Sequence, residues 1–491
     1  MRKQVLDTSS TLIKDLIKTL ASSRVAMAGS VISGVVLPVL VISAILDMKG
    51  GAENPYFGFL IYMVMGPIFM AGLATAVIGV LFFKDKEAIG LFTLEYIKDQ
   101  LSMPGRFTRV RKLIYLSSFL MALTTLVVLV VSVSGYKYTE TVSFCGQFCH
   151  VVMEPEYITH QNSPHSRVSC VECHIDENAG LFTKAKVSGI KQIFSTLFNS
   201  FDRPLKTPIK SLRPNRNVCE KCHRPEMFHG AKLYLKDSYL PDEKNTVVRT
   251  VLLMKVGSGG YRTGAAQGIH WHVSPNHHVY FQSSDDGDSI TKVKLIDHDG
   301  SEIIFSSTGD YTSPKGPASE DFRLMDCLDC HNRPTHIFLA PEEAIDQKMI
   351  EGLISSELPF IKRQAVEALR LEYSSQTEAL KAIAVRIESW YRDNEPRVYQ
   401  LQWEQLSRAI AGIGRAYSEN VFPEMNVDWG TYGSTLGHRQ GGGCFRCHEG
   451  NHRTEAGRVI PNGCDLCHVV LADHEKDPAI MNLLYGDKGV K

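Results

Sequence analysis

The stretch Cys145–His174, CGQFCHVVMEPEYITHQNSPHSRVSCVECH, decides how the rest of the chain is read. It starts ten residues after a long apolar segment ends. It holds two cysteine pairs, each followed at once by a histidine. A Cys-x-x-Cys-His run is the attachment signature of c-type haem. Both thiols become thioethers to the porphyrin, and the next histidine takes the iron as proximal ligand.

Outward from that stretch the signature recurs. Cys170/Cys173/His174, Cys219/Cys222/His223, Cys327/Cys330/His331, Cys444/Cys447/His448 and Cys464/Cys467/His468 all fit CxxCH, and Cys145/Cys149/His150 carries one extra residue. These six sites use all twelve cysteines. A zinc ribbon or a disulfide framework would also use paired cysteines. Neither requires a histidine directly after every second cysteine, and histidine is only 18 of 491 residues. Six covalently bound c-type haems are therefore expected. Their attachment needs an oxidising, extracytoplasmic compartment. There is no fixed repeat: first cysteines are spaced 25, 49, 108, 117 and 20 residues apart.

At this length two or more domains are expected. Lys plus Arg and Asp plus Glu are 53 each, so formal net charge is zero, which argues against a nucleic-acid partner. Residues 1–136 are strongly apolar and the remainder polar. Three charge-free runs, about 25–46, 57–83 and 113–135, reach the roughly 20 residues a bilayer crossing needs. Pro38 and Pro67 should kink the first two. Arg2, Lys3, Lys14, Lys18 and Arg24 precede the first run. Lys84, Lys86, Lys98, Arg106, Arg109, Arg111 and Lys112 lie between the second and third, against only Lys49 between the first and second. Basic loops stay cytoplasmic. The N-terminus is thus expected inside and all six haem motifs outside, in agreement with the attachment chemistry. A cleaved signal peptide is the alternative for the first run. No clear small-x-small site follows it.

The candidate distal iron ligands are Met153, His160, His165, His229, His270, His336, His438 and His452. Met153 can ligate the first iron or pack beside the porphyrin. His270 and His272 alternate in GIHWHV; on a strand they would face opposite ways, leaving one for a haem. His336 follows His331 by five residues, too short a loop for one iron, so it is expected to cap a neighbour. Gly441–Gly443 should let backbone approach a porphyrin closely.

Between the motifs, residues 230–326 hold β-branched runs at 246–256, 278–282, 291–297 and 302–306, with Asp299-Gly300 as a hairpin turn. The Gly-rich loop 257–268 lacks a phosphate-binding frame. Residues 341–420 lack Cys and His and read as about four helices, opened by Pro341 and by a Ser375/Glu378 capping box. Residues 180–198 form an amphipathic helix, lying on the membrane surface or facing the haem domain.

The expected fold is a membrane-anchored multihaem cytochrome c. Three transmembrane helices (1–136) precede a haem-packed, mostly α and irregular extracytoplasmic domain with a small antiparallel β insertion and a helical bundle segment. The divisions are 137–229 (sites 1–3), 230–326 (β), 327–340 (site 4), 341–425 (helical) and 426–491 (sites 5 and 6).

The third apolar run, the haem motif with its nearby Met, the following His, CVECH and a Lys-bearing helix resemble the NapC/NirT/NrfH family over roughly residues 110–225. Those proteins are membrane-anchored multihaem quinol dehydrogenases. The resemblance implies that the first haem faces quinol and that Lys186, or Lys184, lies near it with an acidic residue. Glu154, Glu156, Asp176 and Glu177 are the candidates. Family members usually have one anchor, four or five haems and CxxC at the first motif. The ImcH-like inner-membrane cytochromes of metal-respiring bacteria, with three spans and six or seven haems, are similar too.

Together these readings give an inner-membrane hexahaem cytochrome. It would oxidise menaquinol and pass electrons to a periplasmic cytochrome or reductase in anaerobic or extracellular respiration. Imidazole on both faces of the irons gives low potentials that suit menaquinol. The alternatives are an electron-wire subunit docked on another quinol enzyme and a terminal reductase of small oxyanions.

Overall fold

The computed structural model describes residues 17, 20, 21, 23–48, 60–83, 98, 102, 107–175, 189, 191–196, 198–206, 215–224, 228–257, 268–284, 289–308, 321–438 and 442–486. It divides into two compact units, Met1–His150 and Val151–Lys491.

In the first unit, helix Arg24–Met48 packs on helix Gly66–Phe82, and both are almost wholly apolar. Small residues set the approach. A Cβ at Gly79 would meet the Ala26 backbone nitrogen at 2.2 Å, and one at Gly29 would meet that of Ala76 at 2.4 Å. Such small-residue seams hold helices together where lipid removes the hydrophobic drive. Val36, Leu40, Ile61 and Phe69 form the interior, lined by Val127, Val128 and Val131 of helix Phe107–Tyr138. Large apolar side chains point outward instead: Val35 is 65% and Met121 69% exposed. A bilayer is the solvent in which that is stable.

Two described helices, within Arg24–Ser43 and Ser118–Tyr138, are long and apolar enough to cross a membrane, rather than the three expected. The second apolar run is divided. Leu60–Met65 winds as a π-helix and Gly66–Phe82 as an α-helix of 17 residues with Pro67 at its start. Proline has no N–H for the i→i−4 ladder, and a wider π turn is one way around the gap. Helix Arg24–Met48, by contrast, runs through Pro38.

In the second unit, helix His150–Gln161 leads into short helical turns at the cysteine motifs. Two antiparallel sheets follow. One has the order β1 (Ala231–Tyr239), β2 (Val247–Lys255), β8 (His468–Glu475). The other has the order β6 (Arg323–Leu324), β3 (His278–Ser283), β4 (Ile290–Ile296), β5 (Glu302–Ser307), β7 (His452–Arg453). Val279, Phe281, Ile290, Val293 and Phe305 fill the core of the second. The β4–β5 hairpin turns at Gly300, whose φ is +82°. The β region is thus no closed insertion, because both sheets recruit strands from the C-terminal tail.

The helical segment has five helices rather than four: Pro341–Ile350, Ile361–Leu369, Gln376–Asn394, Pro396–Leu401 and Trp403–Ser418. Ile345, Leu358, Ile361, Ile383, Ile387 and Ile413 are fully buried among them. Ser375 caps its helix by accepting from Glu378 N at 3.2 Å, while the Glu378 carboxylate reaches back to Ser374 rather than Ser375. One buried ion pair joins helices and sheet. Lys362 Nζ donates to Asp346 Oδ1 at 2.5 Å, and the same oxygen accepts from Tyr239 N at 3.0 Å. Burial pushes the Asp346 carboxyl up, and Lys362 works against that shift.

Removing one partner of a buried pair strands the other charge, at a cost of about 3 kcal/mol or more. Lys362→Met should therefore weaken hydrogen-exchange protection across residues 341–369, and adding Asp346→Leu should recover part of it. Unchanged protection in the single variant would mean the pair carries no such load.

Candidate haem-binding sites

The six cysteine motifs are numbered in chain order. The backbone closes sites 3, 4 and 5 in a common way. His223 N donates to Cys219 O at 2.8 Å, His331 N to Cys327 O at 2.9 Å and His448 N to Cys444 O at 3.0 Å. Each bond links the histidine to the first cysteine, so two thiols and an imidazole project from one turn. At site 4 the turn is capped by Asp326, which accepts from Leu328 N at 2.9 Å, while Asp329 accepts from Asp326 N at 2.7 Å. None of the twelve cysteines is in a disulfide. Among the described residues no group of three or more His, Cys, Asp or Glu is placed to hold a metal ion.

Site 1, with its extra residue, lies on a π-helix, Ser143–Phe148. Three residues turn an α-helix by about 300°. In the wider π winding four residues turn by roughly 330°. Cys145 lies within the π-helix and Cys149 caps its end, so the wider winding takes up most of the extra residue.

The histidines are the informative part. A metal–imidazole bond is about 2 Å long, so one metal ion between two rings holds their centroids roughly 6 Å apart. The rings of His174 and His336 are 6.3 Å apart, His223 and His165 6.0 Å, His331 and His270 6.3 Å, His448 and His272 5.8 Å, and His468 and His438 6.2 Å. Every second-cysteine histidine from site 2 to site 6 thus has a partner ring at ligation distance.

Hydrogen bonds then fix which nitrogen is available. A carbonyl only accepts, so the ring nitrogen facing it carries the proton. Nδ1 donates to Pro334 O from His165 (3.1 Å), to Val256 O from His270 (2.7 Å), to Ile269 O from His272 (3.0 Å) and to Pro461 O from His448 (2.5 Å). In each, Nε2 keeps its lone pair for a metal, the second-layer arrangement that metal-binding imidazoles use. His336 Nδ1 lies 3.0 Å from both Glu156 O and Glu156 Oε2. Loss of solvent pushes His272 down to about 4, so it is a neutral imidazole, the metal-binding form, and it lowers His331 as well. These rings fit haem iron.

Other histidines have the opposite orientation. His160 Nε2 donates to Val168 O at 2.9 Å, His277 Nε2 to Trp271 O at 2.6 Å and His452 Nε2 to Ile290 O at 3.0 Å. His160 also stands 6.4 Å from His336, so distance alone does not separate it from His174; its committed Nε2 does. His452 is fully buried, with Nδ1 on Glu449 at 2.9 Å. His229 is exposed where the chain enters β1. Met153 packs beside Val152, Phe422 and Tyr432. Glu154 is exposed, whereas Glu156 is largely enclosed. Burial acts to raise Glu156, but the hydrogen bond from His336 and the nearby Arg333 hold it below the usual carboxylate range. The His150 side chain, Asp176, Glu177, Lys184 and Lys186 lie outside the described residues.

His272 is not among the eight candidate distal ligands above. It and His270 sit on a 3-10 turn, Ile269–Val273, not a strand. Each faces a different site, 4 or 5. The alternating pair in GIHWHV was the available signal.

Sites 3 to 6 are knitted together. The Cys219 and Cys327 side chains are hydrogen-bonded. Arg446, inside the site 5 motif, donates to Asp329 O of site 4 at 2.6 Å. His438, the partner of site 6, stacks on Phe445 of site 5 at 4.6 Å. Lys255 N, at the end of β2, donates to Cys467 O at 2.8 Å. What Gly443 approaches closely is backbone: a Cβ there would meet Gly437 O at 1.7 Å.

The NapC/NirT cytochrome c family, N-terminal region, matches residues 108–234. The chain is 34% identical over 449 residues to the cytochrome c-type protein ImcH of Geobacter sulfurreducens, covering 91% of this chain and 87% of that one. It is 30% identical over 92 residues to the cytochrome c nitrite reductase subunit NrfH of Nitratidesulfovibrio vulgaris, covering 18% of this chain and 55% of that one. No solved structure matches. The chain belongs to the family of ImcH, the membrane-anchored multihaem c-type cytochromes of electron transport with a NapC/NirT N-terminal region.

Proposed function

We propose that this chain is a hexahaem quinol dehydrogenase of a bacterial inner membrane, with its N-terminus in the cytoplasm and its cysteine motifs in the periplasm. The observation that carries the reading is the set of five ring pairs, each joining the histidine of one cysteine motif to a second imidazole. In this reading Cys145/Cys149, Cys170/Cys173, Cys219/Cys222, Cys327/Cys330, Cys444/Cys447 and Cys464/Cys467 hold the porphyrins. His150, His174, His223, His331, His448 and His468 are the proximal ligands. His336, His165, His270, His272 and His438 are the distal ligands of sites 2 to 6. His160 and His452 are left out because their Nε2 atoms are committed to carbonyls. His229 is left out because none of the ring pairs includes it.

When bound, c-type haem supplies one-electron redox chemistry, at low potential where both axial ligands are imidazole. The chain's own residues fix the Nδ1 hydrogen bonds of His165, His270, His272 and His448 and keep neighbouring sites in register. Quinol is the proposed donor because the NapC/NirT match begins inside the last apolar helix and runs through sites 1 to 3. Lys186, Lys184 or an acidic residue beside site 1, such as Glu154, would take the proton as quinol is oxidised. A periplasmic cytochrome or reductase would accept the electrons. A terminal oxyanion reductase needs an open iron, and a partner imidazole at every site from 2 to 6 disfavours it.

Two experiments test this. In stopped-flow mixing with a menaquinol analogue, the oxidised, detergent-solubilised protein should be reduced rapidly, and Lys186→Ala should slow that reduction. Reduction by dithionite but not by quinol would move the chain to the wire-subunit reading. For the ligands, His272→Met should raise the potential of a single haem, since a thioether favours ferrous iron. His160→Gln should leave six haems per chain and all potentials in place. The reverse pattern would overturn the assignment.

A further inference from the structure

Three of the proposed distal histidines rest Nδ1 on neutral main-chain carbonyls: His165 on Pro334, His270 on Val256 and His272 on Ile269. His336 differs. Its Nδ1 lies 3.0 Å from a carboxylate oxygen, Glu156 Oε2, as well as 3.0 Å from the Glu156 carbonyl. Thr159 Oγ1 stands 3.4 Å from the same nitrogen and donates to Pro155 O at 2.7 Å, which braces the turn. The carboxylate is enclosed, its side chain 13% exposed, so water competes little for the bond. The ring is held from its own strand of chain too: Thr335 Oγ1 bonds Ser163 Oγ at 2.8 Å. The geometry is that of a carboxylate–histidine pair whose ring stands 6.3 Å from that of His174 between centroids.

We propose that Glu156 is a positioning residue for the site 2 haem: it fixes His336 and makes it the strongest donor among the proposed distal imidazoles of sites 2 to 5, which sets site 2 lowest in potential among them. The reason is general. A carboxylate accepting the Nδ1 proton raises the basicity of the other ring nitrogen. A stronger donor favours ferric over ferrous iron, and second-layer hydrogen bonds are among the levers a protein has on haem potential. A carbonyl acceptor does the same more weakly, because it is uncharged. The inference rests on His336 as an iron ligand. It also removes Glu156 from the quinol candidates, since its acceptor oxygen faces a ring nitrogen of site 2.

The test is a mediated spectroelectrochemical titration of the full-length, haem-loaded protein in detergent, with low-temperature EPR of the oxidised form. Glu156→Gln keeps an acceptor oxygen and removes the charge. It should shift one haem toward easier reduction by about tenfold in its equilibrium, or roughly 59 mV for one electron, and alter one low-spin EPR signal. His336→Met should move the same haem further, and the double variant should add nothing to it. Glu404→Gln, an exposed carboxylate on the helix Trp403–Ser418, should move none. Haem content of six per chain in each variant checks assembly. Unchanged potentials and EPR in Glu156→Gln would overturn the proposal, whether or not quinol oxidation slows. No change in His336→Met would overturn the ligand assignment along with it, whereas slow quinol reduction with the expected shift present would leave the positioning role standing and count against the quinol reading alone.

Discussion

The hydrogen bond from a histidine Nδ1 to a fixed acceptor is the constraint around which the second unit is arranged. An imidazole with both nitrogens in water has two tautomers and free rotation about its side-chain bonds. One with Nδ1–H held by a carbonyl has a single tautomer and presents Nε2 in one direction. The acceptors here come from distant places: Val256 just past β2, Ile269 on a 3-10 turn, Pro334 beside site 4 and Pro461 in the tail. Each acceptor must itself be held, so the sheets and loops between the motifs serve as scaffolding for ring orientation. The short run His331–His336 shows the economy of this. His331 belongs to site 4, Pro334 O holds the partner ring of site 3, and His336 faces site 2.

The sheets make sense on the same terms. β8 begins at His468 itself and pairs along β2, so the site 6 ring is fixed to a strand on its C-terminal side. β7 contains His452, whose Nε2 ties the tail to Ile290 at the head of β4. Both nitrogens of that histidine are satisfied inside the protein, Nε2 by Ile290 O and Nδ1 by Glu449. The close passage of Gly443 past Gly437 O, with Cys444 N donating to the same carbonyl at 2.8 Å, folds His438 back over the site 5 motif.

Much of this was legible in the residues. Six motifs consuming twelve cysteines specify attachment chemistry without any knowledge of the fold, and long charge-free runs announce helices that lipid can cover. The limits came where the outcome depends on long-range acceptors. His160, His336 and His452 look alike as spare histidines in sequence; only the carbonyls they meet divide them. Strand alternation in GIHWHV would leave one of His270 and His272 for a haem, whereas the 3-10 turn lets each ring face its own site. β1, AKLYLKDSY, is polar and largely exposed, with little apolar pattern to read, and β8 starts inside a cysteine motif. The second apolar run read as one span because hydropathy is blind to the change from π to α winding at Gly66-Pro67.

On the proposed ligand set, each iron would cross-link segments that are remote in the chain: 174 to 336, 223 to 165, 331 to 270, 448 to 272 and 468 to 438. Such links restrict the unfolded chain in the way other covalent and coordinate bridges do, and metal binding becomes part of the folding free energy. The helical segment is the exception that clarifies the rule. It contains no cysteine or histidine between residues 341 and 421 and builds its own core of aliphatic side chains around Ile383 and Ile413. It therefore has a source of stability that the cysteine-bearing segments lack. Those segments expose motif residues such as Cys173, Cys222, Cys330 and Cys464 and bury few large side chains of their own. On the proposed ligand set their packing would be completed by porphyrin rather than by leucine and isoleucine, which would let a chain with so modest an apolar core outside its membrane helices specify a fold.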